Sequence, residues 1–337
     1  MQNSPVRFLP VILLVTASFA QLPPLIDREV LFDDPEISGA QISPDGKYIA
    51  FMKPLNKTRN IWVKETQARF ESARPITADT KRPIPAFFWS RDGKYILFVQ
   101  DQAGDENYNV YAVNPADKSA GGQQVPAARN LTDAKGVRAQ IYAVPKTDPD
   151  TIYVGLNDRD KAWHDLYKVK ISTGESTLLR KNTDRLVFWV FDNKDQLRLA
   201  YRVTDMGENQ ILRVDPDGFN TIYTCGVFEN CFPIRFHKDN QRVYLQTNKG
   251  ASINFQQMEL LDPATGKTEF VEADPEKRVD LAGAMISDLT KEIIATIYVD
   301  DKLRYSWKSK DFEADYNRLQ KQIPGATVRF VSSTTDE

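Results

Sequence analysis

The sequence predicts an all-β fold, a β-propeller of four-stranded blades, from three observations. First, Ile42-Ser43-Pro44-Asp45-Gly46-Lys47-Tyr48-Ile49-Ala50-Phe51 returns almost unchanged as Trp89-Ser90-Arg91-Asp92-Gly93-Lys94-Tyr95-Ile96-Leu97-Phe98, about 47 residues later. Second, this Ser-x-Asp-Gly turn alternates along the chain with hairpins of Asp, Pro, Thr and Gly. Third, each turn separates short runs rich in aromatic and β-branched residues, as strands require. Asp bonds its own backbone in such a turn and Gly takes the positive φ. A single blade leaves an apolar face exposed, so neighbours must stack around a channel to bury it.

The units follow in order. A polar, Pro-rich lead covers residues 21–34, and the first unit runs through the Ser43 turn to Asn60-Ile61-Trp62-Val63-Lys64, whose alternation predicts a half-buried strand. The second has the Ser90 turn and Tyr108-Asn109-Val110-Tyr111-Ala112-Val113. In the third, Ile141-Tyr142-Ala143-Val144 turns at Asp148-Pro149-Asp150 into Thr151-Ile152-Tyr153-Val154, and His164-Asp165-Leu166-Tyr167-Lys168-Val169 precedes Ser172-Thr173-Gly174-Glu175. The fourth turns at Asp192-Asn193-Lys194-Asp195 and closes with the hairpin Asp215-Pro216-Asp217-Gly218. The fifth has Lys238-Asp239-Asn240 and later Asp262-Pro263-Ala264-Thr265-Gly266-Lys267; the sixth opens with Ala284-Met285-Ile286-Ser287 and Ile293-Ile294-Ala295-Thr296-Ile297.

One helix interrupts the pattern. Over residues 311–323, Phe312, Tyr316, Leu319 and Ile323 share a helical face, with Asp311 as N-cap, Glu313 and Asp315 in the first turn, and Pro324-Gly325 as the stop. Residues 326–333 then read as the opening strand of a seventh unit, so the expectation is about six blades and the start of another.

Composition limits the function. The chain has 337 residues, 41% hydrophobic and 27% charged, with a net charge of -2. No basic stripe with interleaved aromatics calls for nucleic acid. Residues 1–20 read as a secretory leader: Arg7 ends a polar head, residues 8–15 form the apolar core, and Ser18-Phe19-Ala20 offers a cleavage site near Ala20. The expectation is export, periplasmic or secreted, with a mature propeller over residues 21–337; the alternative of a membrane anchor ranks second because the leader's apolar run falls well short of the roughly 20 residues a span needs, and no later hydrophobic run is long enough for one. The two cysteines, Cys225 and Cys231, are separated by Gly-Val-Phe-Glu-Asn and can close a small disulfide loop in an oxidising compartment, a gain of roughly 2–3 kcal/mol.

The Ser-Pro-Asp-Gly-Lys and Thr-Gly hairpins resemble the propeller repeats of the prolyl oligopeptidase (S9) serine peptidases, of the dipeptidyl and acylaminoacyl type, and of periplasmic TolB-like proteins. Two stretches favour the peptidases: Trp163-His164-Asp165-Leu166-Tyr167-Lys168-Val169 with Ser172-Thr173-Gly174 resembles their third blade, and Phe312-Glu313-Ala314-Asp315-Tyr316-Asn317-Arg318-Leu319 through Ile323-Pro324-Gly325-Ala326 resembles a helix late in their propeller. The resemblance implies an amino-terminal propeller acting as gate and docking surface, with peptides and an α/β-hydrolase domain or another protein as partners. That catalytic domain is not in this sequence: no Gly-x-Ser-x-Gly elbow occurs, and no catalytic residue carries over. The expectation is a chain inactive by itself. The alternative is a stand-alone TolB-like scaffold that binds proteins.

Other candidates carry less. His164 and Asp165 are adjacent, so on a strand they face opposite ways and cannot both serve a Ser. His237 precedes a turn. Asp33-Asp34 and Asp105-Glu106 are loop carboxylates, and Asp215-Pro216-Asp217-Gly218 lacks the later ligands of a calcium loop. Trp62, Trp89, Trp163 and Trp189 recur at positions suited to packing between blades. Asn56-Lys57-Thr58 and Asn130-Leu131-Thr132 are glycosylation sequons. No cofactor or metal site is expected.

Overall fold

A computed structural model describes residues 25–119, 122 and 124–337; the leader and its cleavage site at Ala20 lie outside these. The described residues up to Pro35 and those from Glu36 to Glu337 belong to two units. In the first, the stretch expected to be a plain lead holds one short helix, α1 (Arg28–Phe32), whose Glu29 N donates to the Asp27 carboxylate at 3.1 Å.

The second unit contains six antiparallel sheets in chain order, five of four strands and the last of three. Blade one is β1 (Ser38–Ile42), β2 (Tyr48–Leu55), β3 (Thr58–Glu65) and β4 (Arg74–Pro75). Blade two is β5 (Phe87–Trp89), β6 (Ile96–Gln100), β7 (Asn109–Val113) and β8 (Arg129–Asn130). Blade three is β9 (Ala139–Ala143), β10 (Thr151–Asp160), β11 (Trp163–Lys170) and β12 (Ser176–Arg180). Blade four is β13 (Phe188–Phe191), β14 (Leu197–Val203), β15 (Asn209–Asp215) and β16 (Gly218–Cys225). Blade five is β17 (Cys231–Phe236), β18 (Val243–Thr247), β19 (Gln257–Leu261) and β20 (Thr268–Glu272). Blade six is β21 (Leu281–Ile286), β22 (Ile293–Val299) and β23 (Leu303–Trp307).

Period-two alternation lets each strand serve two interfaces. On β10, Ile152, Val154 and Leu156 join the core shared with blade two, while Tyr153 points the other way and stacks on Phe191 of blade four at 4.4 Å. Five apolar clusters of this kind link blade one to two, two to three, three to four, four to five and five to six. Each fully buried Ile, Leu or Val contributes about 1.5–3 kcal/mol, so the blades are held chiefly by one another. Among the described residues, no such cluster joins blade six to blade one.

The expected packing tryptophans divide. Trp89 belongs to the core between blades one and two and Trp189 to that between three and four. Trp62 lies on the opposite side of blade one, its Nε1 donating to Lys53 O at 3.1 Å, and Trp163 is half-buried. The pair at Asp215 is a two-residue hairpin, with Asp215 opposite Gly218.

The late helix, α2, spans Lys310–Gln322. Its N-cap is Ser309, not Asp311, because Glu313 N already bonds Ser309 O at 3.1 Å and places Asp311 inside the first turn. Tyr316 packs on Tyr305 and Trp307 of β23, and Phe312 on Phe330. Residues 326–333 do not form the expected opening strand; instead of pairing in a ladder they run beside blade one, where Ile42 N donates to Ser332 Oγ at 3.0 Å. Among the described residues, no helix is long and apolar enough to cross a membrane.

Gly155 on β10 is enforced by crowding. A Cβ there would sit 2.5 Å from Tyr142 Cε2 and 2.8 Å from His164 Cβ. Gly155→Ala is therefore expected to destabilise the fold by about 1–3 kcal/mol through overpacking, read as a lower midpoint in urea unfolding.

Candidate functional site

The first turn of each blade, between its innermost two strands, lies on one face of the propeller. In blade one, Ser43 Oγ donates to Asp45 Oδ1 at 2.7 Å and accepts from Tyr48 N at 2.9 Å, with Gly46 at φ +71°. Blade two repeats this with Ser90 Oγ to Asp92 at 2.6 Å, Tyr95 N at 2.9 Å and Gly93 at φ +69°. Later blades reach the same shape with other residues. Asp192 accepts from Lys194 N and Gln196 N at 2.9 and 3.0 Å, and Ser287 N donates to Glu292 O at 2.9 Å.

Neighbouring turns hold hands. Asp195 of blade four accepts from Lys146 N and Thr147 N of blade three at 2.8 and 2.7 Å, and Asn193 N donates to Asn240 Oδ1 of blade five at 2.7 Å. At the centre stands Asp288, in the first turn of blade six. Its carboxylate receives Arg91 Nη1 of blade two at 3.0 Å, Lys146 Nζ of blade three at 2.7 Å and Arg235 Nη2 of blade five at 2.6 Å. Four blades thus converge on one carboxylate. A cavity of about 640 Å³ opens beside it, lined by Ile42, Phe88, Trp89, Arg91, Lys146 and residues 331–335.

The chain's last residues reach the same place. Thr335 N donates to Pro44 O at 2.9 Å on blade one, and the Glu337 carboxylate accepts from Ser287 Oγ at 2.6 Å and from Asp288 N on blade six.

Asp288 is thus shared by three cations, with the Glu337 and Asp195 carboxylates bonded close by on Asp288 N and Lys146 N, so the mouth is a dense network of opposite charges. Burial pulls the Lys146 ammonium down to about 8, opposed by its bond to Asp288. Burial alone would raise the Asp288 carboxyl, but Lys146 and Arg235 overrule it and hold it well below the usual carboxylate range. A carboxyl depressed on folding adds stability that is complete above its unfolded value, near pH 4, and is lost as pH falls further. Asp288→Asn is accordingly expected to flatten the fall in melting temperature on acidification below about pH 4, and Asp288→Ala to lower the melting temperature at pH 7 by separating cations that now share one partner. Differential scanning fluorimetry across pH checks both.

The residues weighed from sequence stand apart from this mouth. Asp165 is buried and accepts from Arg159 Nε and Nη2 at 2.7 Å and from Asn182 N at 2.7 Å. His164 points away from it, with a buried Nε2 that has no hydrogen-bond partner. His237 Nδ1 lies 3.0 Å from Asp239 in the blade-five turn. Asp105 caps its own loop through Gln102 N and Asn107 N at 3.2 and 3.1 Å. Cys225 and Cys231 are buried thiols on the crossover between blades four and five. Sequence reasoning missed Asp288, Lys146 and Arg235, whose proximity comes from closure of the blades rather than from any local spacing. The arrangement pairs Asp288 with cations from three other blades.

No protein-family model matches the chain. It is 33% identical over 306 residues to dipeptidyl aminopeptidase BIII of Pseudoxanthomonas mexicana, covering 89% of this chain and 42% of that protein. It is 25% identical over 342 aligned positions to dipeptidyl peptidase family member 6 of Caenorhabditis elegans, covering 98% of this chain and 45% of that protein. The chain thus spans less than half the length of these relatives. Among solved structures, a prolyl endopeptidase aligns with a TM-score of 0.49 at 15% identity, over 80% of this chain and 40% of the other. A TolB protein from Agrobacterium tumefaciens aligns with a TM-score of 0.41 at 17% identity, over 69% and 79%.

Proposed function

We propose that this chain, a member of the prolyl oligopeptidase (S9) family by its kinship with two dipeptidyl peptidases, is the propeller portion of an exported peptidase, a gate and docking surface that does not cleave peptides by itself. The observation that carries the reading is the pairing of 33% identity over 89% of this chain with coverage of 42% of the relative, over a length that the structure fills with propeller blades. The residues support inactivity: the sequence has no Gly-x-Ser-x-Gly elbow, and Asp165 is committed to Arg159 rather than to His164. The composition of residues 1–20 supports export. The charged mouth at Asp288 supports docking, since Arg91, Lys146 and Arg235 can exchange their shared carboxylate for one of a peptide or of a partner domain.

The test treats the purified full chain with a fluorophosphonate probe of activated serines and with a panel of chromogenic dipeptidyl substrates. No labelling and no turnover above a mock purification is expected. A serine of this chain that takes the probe, with turnover that tracks it, would overturn the reading.

A further inference from the structure

Cys225 ends β16 and Cys231 opens β17, so the two bracket the entire crossover from blade four to blade five. Both are fully buried in the core those blades share. In the ladders, Cys225 lies opposite Asn209 of β15 and Cys231 opposite Thr247 of β18, each within its own blade. The sulfurs do the reverse. Cys225 Sγ reaches Thr247 Oγ1 of blade five at 3.9 Å, and Cys231 Sγ donates to Asn209 O of blade four at 3.5 Å. Side chains that cross in this way pass each other, which brings the two thiols side by side in one core.

The intervening loop is pinned at both ends. Asn209 Nδ2 donates to Glu229 O at 2.8 Å, Asn230 N to Asn248 Oδ1 at 2.6 Å, and the Glu229 carboxylate accepts from Gly226 N and Gly250 N at 2.8 and 3.0 Å. Its tip is open to solvent, with Phe228 at 94% and Val227 at 57% exposure.

We propose that Cys225 and Cys231 are a dithiol–disulfide pair whose oxidation staples blade four to blade five. The oxidant is another disulfide, of a small thiol or of a thiol–disulfide exchange protein. The Cys225 thiolate attacks one sulfur of it and expels a thiolate; the Cys231 thiolate then attacks the Cys225 side of the mixed disulfide and expels the second. Two protein thiols lose two protons and two electrons, and the oxidant disulfide that they attack is reduced to two thiols. Cys225 attacks first: once it is ionised, the Cys231 S–H can turn from Asn209 O to the Cys225 thiolate, which holds Cys225 below its ordinary value while the same neighbour and burial push Cys231 up. A covalent link here spans the one backbone connection between the two blades, so it limits how far they separate when the core between them opens.

The full chain is equilibrated in glutathione buffers of graded ratio, quenched with acid, alkylated with N-ethylmaleimide and digested with trypsin. With oxidised glutathione in excess, the peptide over residues 214–235 is expected without adducts and lighter than its dithiol form by two hydrogens. The oxidised chain is expected to melt roughly 3–8 °C above the dithiothreitol-treated chain, and this gap should vanish in Cys225→Ser and in Cys231→Ser. Alkylation of both cysteines at every ratio overturns the proposal, as does separate glutathione capping of each. A paired peptide without any rise in melting temperature overturns the stapling role. The wild-type peptide masses decide the pairing even if neither serine variant folds.

Discussion

Trp189→Ala is expected to cost about 3–5 kcal/mol of folding stability, the largest effect of any single truncation in the chain. The indole is fully buried between blades three and four, among Tyr142, Leu166, Leu186, Ala200 and Leu212. Phe219 meets it at 5.8 Å between ring centroids. Its Nε1 is buried without a hydrogen-bond partner, so the side chain contributes packing and no hydrogen bond. Two consequences separate. Removing the ring leaves a void that two sheets must close, and strands that pair within sheets collapse poorly toward each other. Replacing it with phenylalanine removes the unpaired N–H along with some volume, so Trp189→Phe should cost well under half as much. Urea unfolding followed by far-ultraviolet circular dichroism measures both. A cost for Trp189→Ala below about 1 kcal/mol would mean that the blades slide together and that their interface is soft.

Asp165→Ala should cost about 2–4 kcal/mol and leave the Asp288 mouth intact. The carboxylate binds both nitrogens of the Arg159 fork and also caps Asn182 N in the crossover to blade four. Burial would raise its carboxyl, but Arg159 and the Asn182 N–H hold it below the ordinary value. Its contribution is thus complete above the unfolded value, near pH 4, and disappears as pH falls through the folded one. Arg159 is 41% exposed at its side chain and can turn to water when its partner goes, which keeps the cost below that of a wholly buried pair. Asn182 N has no such escape. Asp165→Asn keeps an acceptor for that N–H and should recover about half of the loss, while flattening the acid limb of a stability-against-pH curve. A variant as stable as the parent at pH 7 would remove the Arg159 pair from the account of this interface.

Much of the fold was legible because local chemistry repeats. Ser43 and Ser90 make the same bonds to Asp45 and Asp92, and the glycines at 46 and 93 take the same left-handed φ, so two near-identical strings give two near-identical turns. Blades four to six keep the geometry with Asp195, Asn240 and Lys291 at positive φ, a degeneracy that blurs the string without changing the turn. Helix α2 was readable from its apolar face, though its cap shifted to Ser309 because the backbone, not the Asp311 side chain, sets the first bond. Residues 326–333 alternate like a strand yet make no ladder, since alternation records which face is apolar and not whether an edge is available. The mouth was illegible. Arg91, Lys146, Arg235 and Asp288 come from four blades, and nothing in their neighbours in sequence distinguishes them from solvated turn charges.

Among the described residues, five apolar interfaces join the six blades in series, and blades one and six each take part in one of them. In such an array the free energy of opening is lowest at the ends and climbs toward the middle, so blades one and six fray before three and four. The segment running from Ser332 to Glu337 works against this as a clasp, bonding Ile42 and Pro44 of the first blade and Ser287 and Asp288 of the last. Among the described residues, its handful of polar bonds stands where no apolar cluster joins blade six to blade one. None of these bonds belongs to a strand ladder, so they can open without breaking a sheet, and residues 331–335 line the cavity beside Asp288.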